Sequence, residues 1–275
     1  MSNNTNTIEV AGLDGGTVRL TRGELDTLSA RIDGGILTAG QAGWDEALTL
    51  WNAMVTKRPA LVVQPASPQD VSTVVTFARD HGTLLSVKGG GHNLAGTAIA
   101  QDGVMIDLSR MHDIVVDPSA RVVRVGPGCR LRDVDRATQE HGLATPLGFV
   151  SRTGIAGLTL GGGFGYLTRQ FGWAADNIIE FEIVTADGEV RTVDAAHDPE
   201  LFWALRGGGG NFGVVTRFAY RLHPVGPEVT GGLRLWSAEH ADDFLDAYQE
   251  LTASAPRTLT AVALLRLAPP APFVP

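Results

Sequence analysis

Cysteines, basic clusters and long apolar runs are scarce in this chain of 275 residues. Cys129 is the only cysteine, so the chain cannot form an internal disulfide bond. No run of about 18 apolar residues occurs, which argues against a membrane-spanning helix. The net charge of −8, with no basic cluster, argues against nucleic acid and anionic membranes as partners. The first residues are polar, so we expect no signal peptide and a cytoplasmic protein.

Common catalytic and metal-binding motifs are also missing. No serine lies in a Gly-x-Ser-x-Gly context, so no serine nucleophile is indicated. The seven histidines do not cluster at metal-ligand spacings, and we expect no metal site. Cys129 lies in a Gly-Pro-Gly-Cys-Arg stretch, where we expect a small, half-buried side chain.

Glycine, by contrast, is abundant, with 34 residues in the chain, and three dense clusters of glycine stand out. The first cluster, 89–91, follows a predicted strand at 83–87 and precedes His92. Because glycine permits positive φ, successive N–H groups of such a loop can converge on an anion such as the pyrophosphate of a nucleotide. Lys88 would add a cation beside that anion. The cluster matches neither of the common nucleotide-binding glycine motifs, and these residues alone leave open a tight structural connection.

Two further glycine clusters occupy 151–165 and 206–213. The glycines of the second cluster are too dense for the interior of a helix or a strand, and they could pack against a flat ring system. A glycine-rich structural crossover is the alternative for this segment. The third cluster precedes a strand, and a long turn explains it as well as a ligand contact does.

The pattern of elements predicts an α+β fold with two lobes. A strand at 60–63, a helix that begins after Ser67 with Pro68 at its first position, and the strand at 83–87 form a βαβ unit. Open α/β sheets bind ligands at the carboxyl ends of their strands, which is where the first glycine cluster lies. The later elements are mostly antiparallel, with hairpins at 112–126 and 178–193 and helices at 131–141 and 198–205.

The two ends of the chain differ from its middle. Residues 1–20 are expected to be a frayed lead-in. One helix face is then predicted by the helical spacing of four apolar side chains, namely Trp44, Leu48, Trp51 and Val55. Near residue 225 the composition changes, and a strand at 229–236, a helix around Tyr248 and a strand at 259–267 follow. We therefore expect an N-terminal lead-in at 1–40, one domain at 41–225 and an incomplete second domain at 226–275.

Three segments, 87–93, 153–165 and 201–216, together resemble the berberine-bridge-enzyme-like FAD-linked oxidases. They read Val87-Lys-Gly-Gly-Gly-His-Asn93, Thr153-Gly-Ile-Ala-Gly-Leu-Thr-Leu-Gly-Gly-Gly-Phe-Gly165 and Leu201-Phe-Trp-Ala-Leu-Arg-Gly-Gly-Gly-Gly-Asn-Phe-Gly-Val-Val-Thr216. The resemblance implies a PCMH-type FAD-binding domain of two α/β lobes, of the vanillyl-alcohol-oxidase superfamily. It also implies the start of a sheet-and-helix substrate domain after residue 225.

The same resemblance implies which residues would contact FAD. Residues 87–91 would wrap the pyrophosphate, and His92 would be bonded to the flavin 8α-methyl carbon. Residues 154–158 would lie along the isoalloxazine, and the backbone of Val214 or Val215 would meet the adenine end. The implied cofactor-binding residues are Val87, Lys88, Gly89, Gly90, Gly91, His92, Asn93, Gly96, Thr153, Gly154, Gly157, Leu158, Gly161, Gly162, Gly163, Val214 and Val215.

The sequence departs from this family at two points. Many relatives carry a second covalent flavin link through a cysteine, but Val150 stands at about that position and Cys129 lies some twenty residues earlier. The resemblance therefore implies a single covalent link, through His92. Family members are also much longer, and the residue that takes the substrate proton is expected in the part that this chain lacks, so the catalytic residues stay unknown.

The implied function is that of an FAD-dependent oxidase acting on a small organic alcohol, sugar or alkaloid-like substrate, with electrons passed to oxygen. The alternative is a flavin-binding fragment whose catalysis is impaired or absent, because most of the substrate domain is missing. A relative that binds FAD without a covalent bond and reduces a nicotinamide-linked or enoyl substrate is disfavoured by Gly91 and His92.

Overall fold

The first lobe is built on a small, mostly parallel sheet. The structure is a computed structural model that describes residues 7–266. In chain order the first lobe contains β1 (Thr7–Ala11), β2 (Thr17–Thr21), α1 (Arg22–Ala30), β3 (Gly35–Leu37), α2 (Trp44–Ala47), β4 (Leu61–Gln64), α3 (Pro68–Asp80), β5 (Leu85–Lys88) and β6 (Val104–Asp107). The sheet order is β3-β4-β6-β5, in which β4 and β5 both run parallel to β6.

Helix α3 forms where its local signals place it. The Ser67 hydroxyl accepts a hydrogen bond from the Asp70 amide at 3.1 Å, and Pro68 occupies the first turn. Such a cap satisfies one of the backbone donors that every helix start leaves unpaired. The apolar stripe that includes Val71 and Val74 is buried against the sheet. The predicted βαβ unit is confirmed, with β6 between its two strands.

The second lobe is an antiparallel sheet covered by short helices. It contains β7 (Ile114–Asp117), β8 (Val122–Val125), α4 (Leu131–Gln139), β9 (Leu143–Ala144), α5 (Ile155–Leu160), α6 (Thr168–Phe171), β10 (Ile178–Val184), β11 (Val190–Val193), α7 (Pro199–Leu205), β12 (Val214–Arg221) and β13 (His223–Pro224). Five of these strands form one sheet in the order β11-β10-β12-β8-β7. The predicted hairpins and the α+β class with two lobes are confirmed.

The two lobes pack directly against each other. The Ser72 hydroxyl on α3 donates to the carbonyl of Gly188, and Arg79 donates to the carbonyl of Asp187 at 2.7 Å, both in the turn between β10 and β11. Val184 and Val214 belong to the same buried cluster as the first-lobe side chains. The carboxyl end of β5 is thereby fixed relative to the second lobe.

The predicted frayed lead-in is wrong over its described part. Strands β1 and β2 pair antiparallel along residues 7–21, and Val10 and Leu20 are fully buried in the first lobe. The polar and glycine-rich composition obscured a short alternation of apolar side chains on both strands. Residues 1–6 lie outside the described residues, and the expected boundary at residue 40 stays a prediction.

The predicted helix face at 44–55 is also wrong. Helix α2 ends at Ala47, and Trp51 is 64% exposed instead of buried. The following residues bond to the first glycine cluster, since the Trp51 amide donates to the Gly91 carbonyl at 2.9 Å. These non-local contacts replace the hydrogen bonds that a longer helix would have made.

Residues after 225 contain one of the three predicted elements. Helix α8 (Ala241–Ser254) matches the predicted helix around Tyr248. Residues 229–236 and 259–266 are irregular, and residue 267 lies outside the described residues. Strands need a neighbour for their backbone groups, and neither segment pairs with a strand within 7–266. No helix in this part of the chain is long and apolar enough to cross a membrane.

Candidate functional site

The first and second glycine clusters meet at Gly90 and Gly154. A Cβ atom placed on Gly90 would lie 2.3 Å from the Cα of Gly154 and 2.4 Å from its nitrogen. A Cβ atom on Gly154 would in turn lie 2.4 Å from the Cα of Gly90. Such distances are far below van der Waals contact, so the two backbones can approach this closely only because both residues are glycine. The loop after β5 is therefore seated on the start of α5.

Helix α5 contradicts the expectation that the second cluster is too rich in glycine for a helix. Its six residues include Gly157, while Ile155 and Thr159 are buried on the opposite face. The Thr159 hydroxyl shares a hydrogen bond of 2.6 Å with the Tyr220 hydroxyl on β12. This anchoring offsets the low helix propensity of glycine. A Cβ atom on Gly157 would meet nothing within 4 Å, so this side of α5 is open.

Residues 161–163 after α5 pack against side chains of the second lobe. A Cβ atom on Gly163, whose φ is +69°, would lie 2.5 Å from the Leu158 side chain and 2.9 Å from Cβ of Ala174. A Cβ atom on Gly162 would lie 3.3 Å from the Trp173 ring. The tight turn accounts for these two glycines, and a contact of residues 161–163 with FAD stays a prediction.

The third glycine cluster lies next to the second. The Gly209 amide donates a hydrogen bond of 2.9 Å to the carbonyl of Leu160, the last residue of α5. Val214 and Val215, at the start of β12, are buried. The structure thus brings all three clusters together, although their contacts with a cofactor stay predictions.

His92 directly follows the glycine loop, and its imidazole makes no hydrogen bond. Both ring nitrogens are buried, and neither has a hydrogen-bond partner. The ring lies beside the indole of Trp51, with 5.9 Å between the ring centroids and 22° between the planes. Buried polar groups in proteins are nearly always hydrogen-bonded, so two unpaired nitrogens on one ring call for an explanation.

The segment that follows α2 wraps the loop around His92. Besides the Trp51 amide, the Asn52 side chain donates to the Leu94 carbonyl at 2.8 Å, and the Lys57 ammonium donates to the Gly96 carbonyl at 3.2 Å. Gly96 itself has φ of +70°. Sequence reasoning missed this role of 51–57, because the contacts join residues some forty positions apart.

Two other predicted residues flank the loop at the surface. Val87 is 37% exposed, and Asn93 is exposed with its side-chain oxygen accepting from the Thr97 amide at 2.8 Å. Their predicted contacts with FAD rest on the resemblance alone.

The Lys88 ammonium pairs with a buried carboxylate. This ammonium lies 3.3 Å from a carboxylate oxygen of Asp107, and the two side chains are only 9% and 1% exposed. Asp107 also accepts hydrogen bonds from Gln64 at 3.0 Å and from the Ser109 hydroxyl at 3.1 Å. The cation expected beside an anion is therefore held by a carboxylate, and its contact with a phosphate stays a prediction.

The backbone of Cys129 bonds to the start of α5, whereas its thiol contacts a different segment. The Cys129 carbonyl accepts from the Ile155 amide at 3.0 Å, while the thiol contacts the His112 carbonyl at 3.1 Å. The side chain is fully buried, contrary to the half-buried position expected. Burial, with a smaller contribution from the nearby Asp133 carboxylate, raises the pKa of the Cys129 thiol to about 12. This thiol is not a nucleophile available to a ligand in the native fold.

An exposed aromatic cluster borders the second glycine cluster. The ring of Phe149 lies 5.5 Å from that of Phe164 and 4.7 Å from that of Tyr166, and Phe164 lies 5.6 Å from Trp173. All four side chains are at least 40% exposed, as is Val150. The sequence does not reveal this cluster, because its members are spread over residues 149–173 and only the fold brings them together.

The comparisons with known proteins agree on a flavin-binding family. Residues 59–194 match the sequence model of a family described as an FAD binding domain. A curated relative, the FAD-linked oxidoreductase pgmH of Aspergillus terreus, is 40% identical over 207 residues, which are 74% of this chain and 42% of that protein. The chain spans about half or less of the length of the curated relatives that it matches.

Several similar solved structures are oxidases, for example a nicotine oxidase and an oligosaccharide oxidase. The 6-hydroxy-D-nicotine oxidase of Arthrobacter nicotinovorans has a TM-score of 0.77 and 35% identity over 80% of this chain and 50% of that chain. Glucooligosaccharide oxidase of Acremonium strictum has a TM-score of 0.73 and 29% identity over 83% of this chain and 49% of that chain. The latter is described as carrying a 6-S-cysteinyl, 8α-N1-histidyl FAD. The resemblance stated from the sequence is confirmed.

Proposed function

We propose that this chain, which belongs through residues 59–194 to the FAD-binding domain family, holds FAD where its three glycine clusters meet and serves the oxidation of a small organic molecule. The observation that carries the proposal is the imidazole of His92, whose two nitrogens are buried and unpaired beside the glycine loop. A covalent bond from one of these nitrogens to the 8α carbon of FAD would explain why that nitrogen needs no hydrogen-bond donor or acceptor.

The shape of the site fits a flat cofactor. The open side of α5 at Gly157 presents backbone without a side chain, and the junction of Gly90 and Gly154 joins this face to the loop of 89–91. We propose that the amides of 89–91 orient the pyrophosphate, that 154–158 lie along the isoalloxazine, and that the backbone of Val214 or Val215 meets the adenine end. FAD, when bound there, supplies a hydride acceptor.

We propose one covalent link and not two. The Cys129 thiol is buried against the His112 carbonyl, with its pKa raised by burial, so it is not positioned as a second attachment atom. Val150 is exposed beside the aromatic cluster and offers no nucleophile. The flavin of glucooligosaccharide oxidase carries both a cysteinyl and a histidyl bond. We propose that this chain has a counterpart only for the histidyl bond, namely His92.

The substrate is proposed as a small organic alcohol, sugar or alkaloid-like molecule, with oxygen as the electron acceptor. The related solved structures named as nicotine and oligosaccharide oxidases support this range. The exposed aromatic cluster of Phe149, Phe164, Tyr166 and Trp173 supports a substrate with an apolar or ring-bearing part, since such rings favour contacts with apolar and planar groups. No residue of 7–266 is assigned as the catalytic base.

A matched pair of glycine substitutions tests the proposed cradle. Gly157 and Gly23 both lie in the first turn of a helix, and a Cβ atom on either would meet nothing within 4 Å. Gly157→Ala should leave the free energy of unfolding of the apoprotein within about 1 kcal/mol of wild type, as should Gly23→Ala. Gly157→Ala should weaken FAD binding roughly tenfold or more, because a methyl group would separate the backbone from the ring.

The measurement is a titration of apoprotein from riboflavin-starved cells with FAD, followed by flavin fluorescence. Gly23→Ala should bind FAD as wild type does. Equal affinities for both variants would show that the open face of α5 does not contact the cofactor.

A further inference from the structure

We propose that Trp51 is a positioning residue that holds the His92 imidazole in the plane required for its bond to FAD. This inference rests on the proposed function of His92 and adds a residue that neither the motifs nor the family match singles out. In the attachment, a bond forms between an imidazole nitrogen and the 8α carbon, while one N–H and one C–H bond break. The attachment would thus release two protons and two electrons, which oxygen would take up as hydrogen peroxide.

The indole of Trp51 stacks against the imidazole of His92 in an offset arrangement. The ring centroids are 5.9 Å apart and the planes differ by 22°, which is an offset stack. Trp51 is 64% exposed, whereas both nitrogens of His92 are buried. The indole therefore stacks on the imidazole with one part of its surface and faces solvent with the rest.

The stack matters because no hydrogen bond orients the imidazole. The torsion that rotates a histidine ring about its Cβ–Cγ bond is broad, and hydrogen bonds to the ring nitrogens usually restrict it. Here both nitrogens lack hydrogen-bond partners, so the stacked contact with Trp51 is an interaction that can restrict the ring plane in their place. A reacting nitrogen must be held close to a near-attack orientation for an efficient bond-forming step.

Two hydrogen bonds hold the segment around Trp51 in place independently of the indole ring. The Trp51 backbone amide donates to the Gly91 carbonyl at 2.9 Å, and the side-chain amide of the next residue, Asn52, donates to the Leu94 carbonyl at 2.8 Å. A substitution of the indole leaves both hydrogen bonds available. The role of the ring can therefore be separated from the role of the segment.

The test compares Trp51→Ala, Trp51→Phe and the control Met54→Ala. Met54 lies three residues further in the same segment and is 88% exposed. Apoprotein is mixed with saturating FAD in air, and the covalently modified fraction is followed over time by intact mass. Total bound flavin is read from absorbance before denaturation.

We expect attachment in Trp51→Ala to slow by roughly three- to tenfold, which corresponds to the strength of one aromatic pair. Total bound flavin should stay near that of wild type. Trp51→Phe should restore most of the rate, and Met54→Ala should match wild type.

Three results would overturn the inference, and they differ from one another. Attachment in Trp51→Ala at the wild-type rate would show that the indole does not position His92. Loss of all flavin from both Trp51 variants would assign the ring to cofactor binding instead of positioning. Wild-type protein that never becomes covalently modified would overturn the attachment at His92 itself, and this inference with it.

Discussion

Gly90→Ala is expected to destabilise the protein by more than about 3 kcal/mol and to abolish FAD binding, since the cost of overpacking reaches that size where the surroundings cannot yield. The added methyl carbon would lie 2.3 Å from the Cα and 2.4 Å from the nitrogen of Gly154. Both are backbone atoms, so no side-chain rotation can relieve the clash. The loop after β5 and the start of α5 would have to separate.

The position of Gly154 is fixed from its other side, which is why separation is costly. The Leu131 amide donates to the Thr153 carbonyl and the Ile155 amide donates to the Cys129 carbonyl, both at 3.0 Å. Denaturant unfolding gives the change in free energy, and flavin absorbance of the purified protein gives the loss of binding. Gly23→Ala is the control and should behave as wild type, because its added methyl group meets nothing. A Gly90→Ala protein of wild-type stability that still binds FAD would contradict the contact between the two clusters.

Lys88→Met is expected to cost about 3–5 kcal/mol, because removal of one partner from a buried ion pair leaves the other charge uncompensated. Asp107 is 1% exposed and would retain its hydrogen bonds from Gln64 and Ser109 but no cation. The methionine side chain replaces the aliphatic part of lysine with similar volume, so the loss of charge dominates the effect. Because Lys88 directly precedes the glycine loop, FAD binding should weaken as well.

Two comparisons separate this effect from a general loss of charge. The exposed ion pair between Arg19 and Glu9 has side chains that are 73% and 63% exposed, and Glu9→Gln should cost no more than about 1 kcal/mol. The double variant Lys88→Met with Asp107→Leu should regain part of the lost stability, since no buried charge remains unpaired. Urea unfolding of the four proteins gives the comparison. A cost below about 1 kcal/mol for Lys88→Met would show that the pair does not hold the loop.

Elements with strong local signals could be predicted from the sequence. Helix α3 begins where Ser67 and Pro68 place it, and the turn of 117–120 joins β7 and β8 as expected. The helix predicted at 44–55 failed for a different reason. Its apolar spacing was helical, but the backbone of Trp51 bonds to Gly91, and such a partner forty residues away leaves no trace in local periodicity.

The candidate site was predictable in its parts and not in its assembly. The three glycine clusters and His92 stood out as residues, whereas the contact between Gly90 and Gly154 required the fold of both lobes. The ion pair of Lys88 could not be predicted, because its partner Asp107 lies on the neighbouring strand β6, far away in sequence. Helix α5 was missed because the contacts that bury it, among them the hydrogen bond between the Thr159 and Tyr220 hydroxyls, are non-local and offset the low helix propensity of its glycine.

The most direct test of the account is the intact mass of the acid-denatured protein, measured for wild type and His92→Ala after expression with ample riboflavin. We predict that wild type carries the additional mass of one FAD, together with flavin absorbance in the precipitate, and that His92→Ala has the mass of the unmodified chain. Wild-type protein at the unmodified mass, or flavin retained by His92→Ala after denaturation, would contradict the assignment of His92 as the single attachment site.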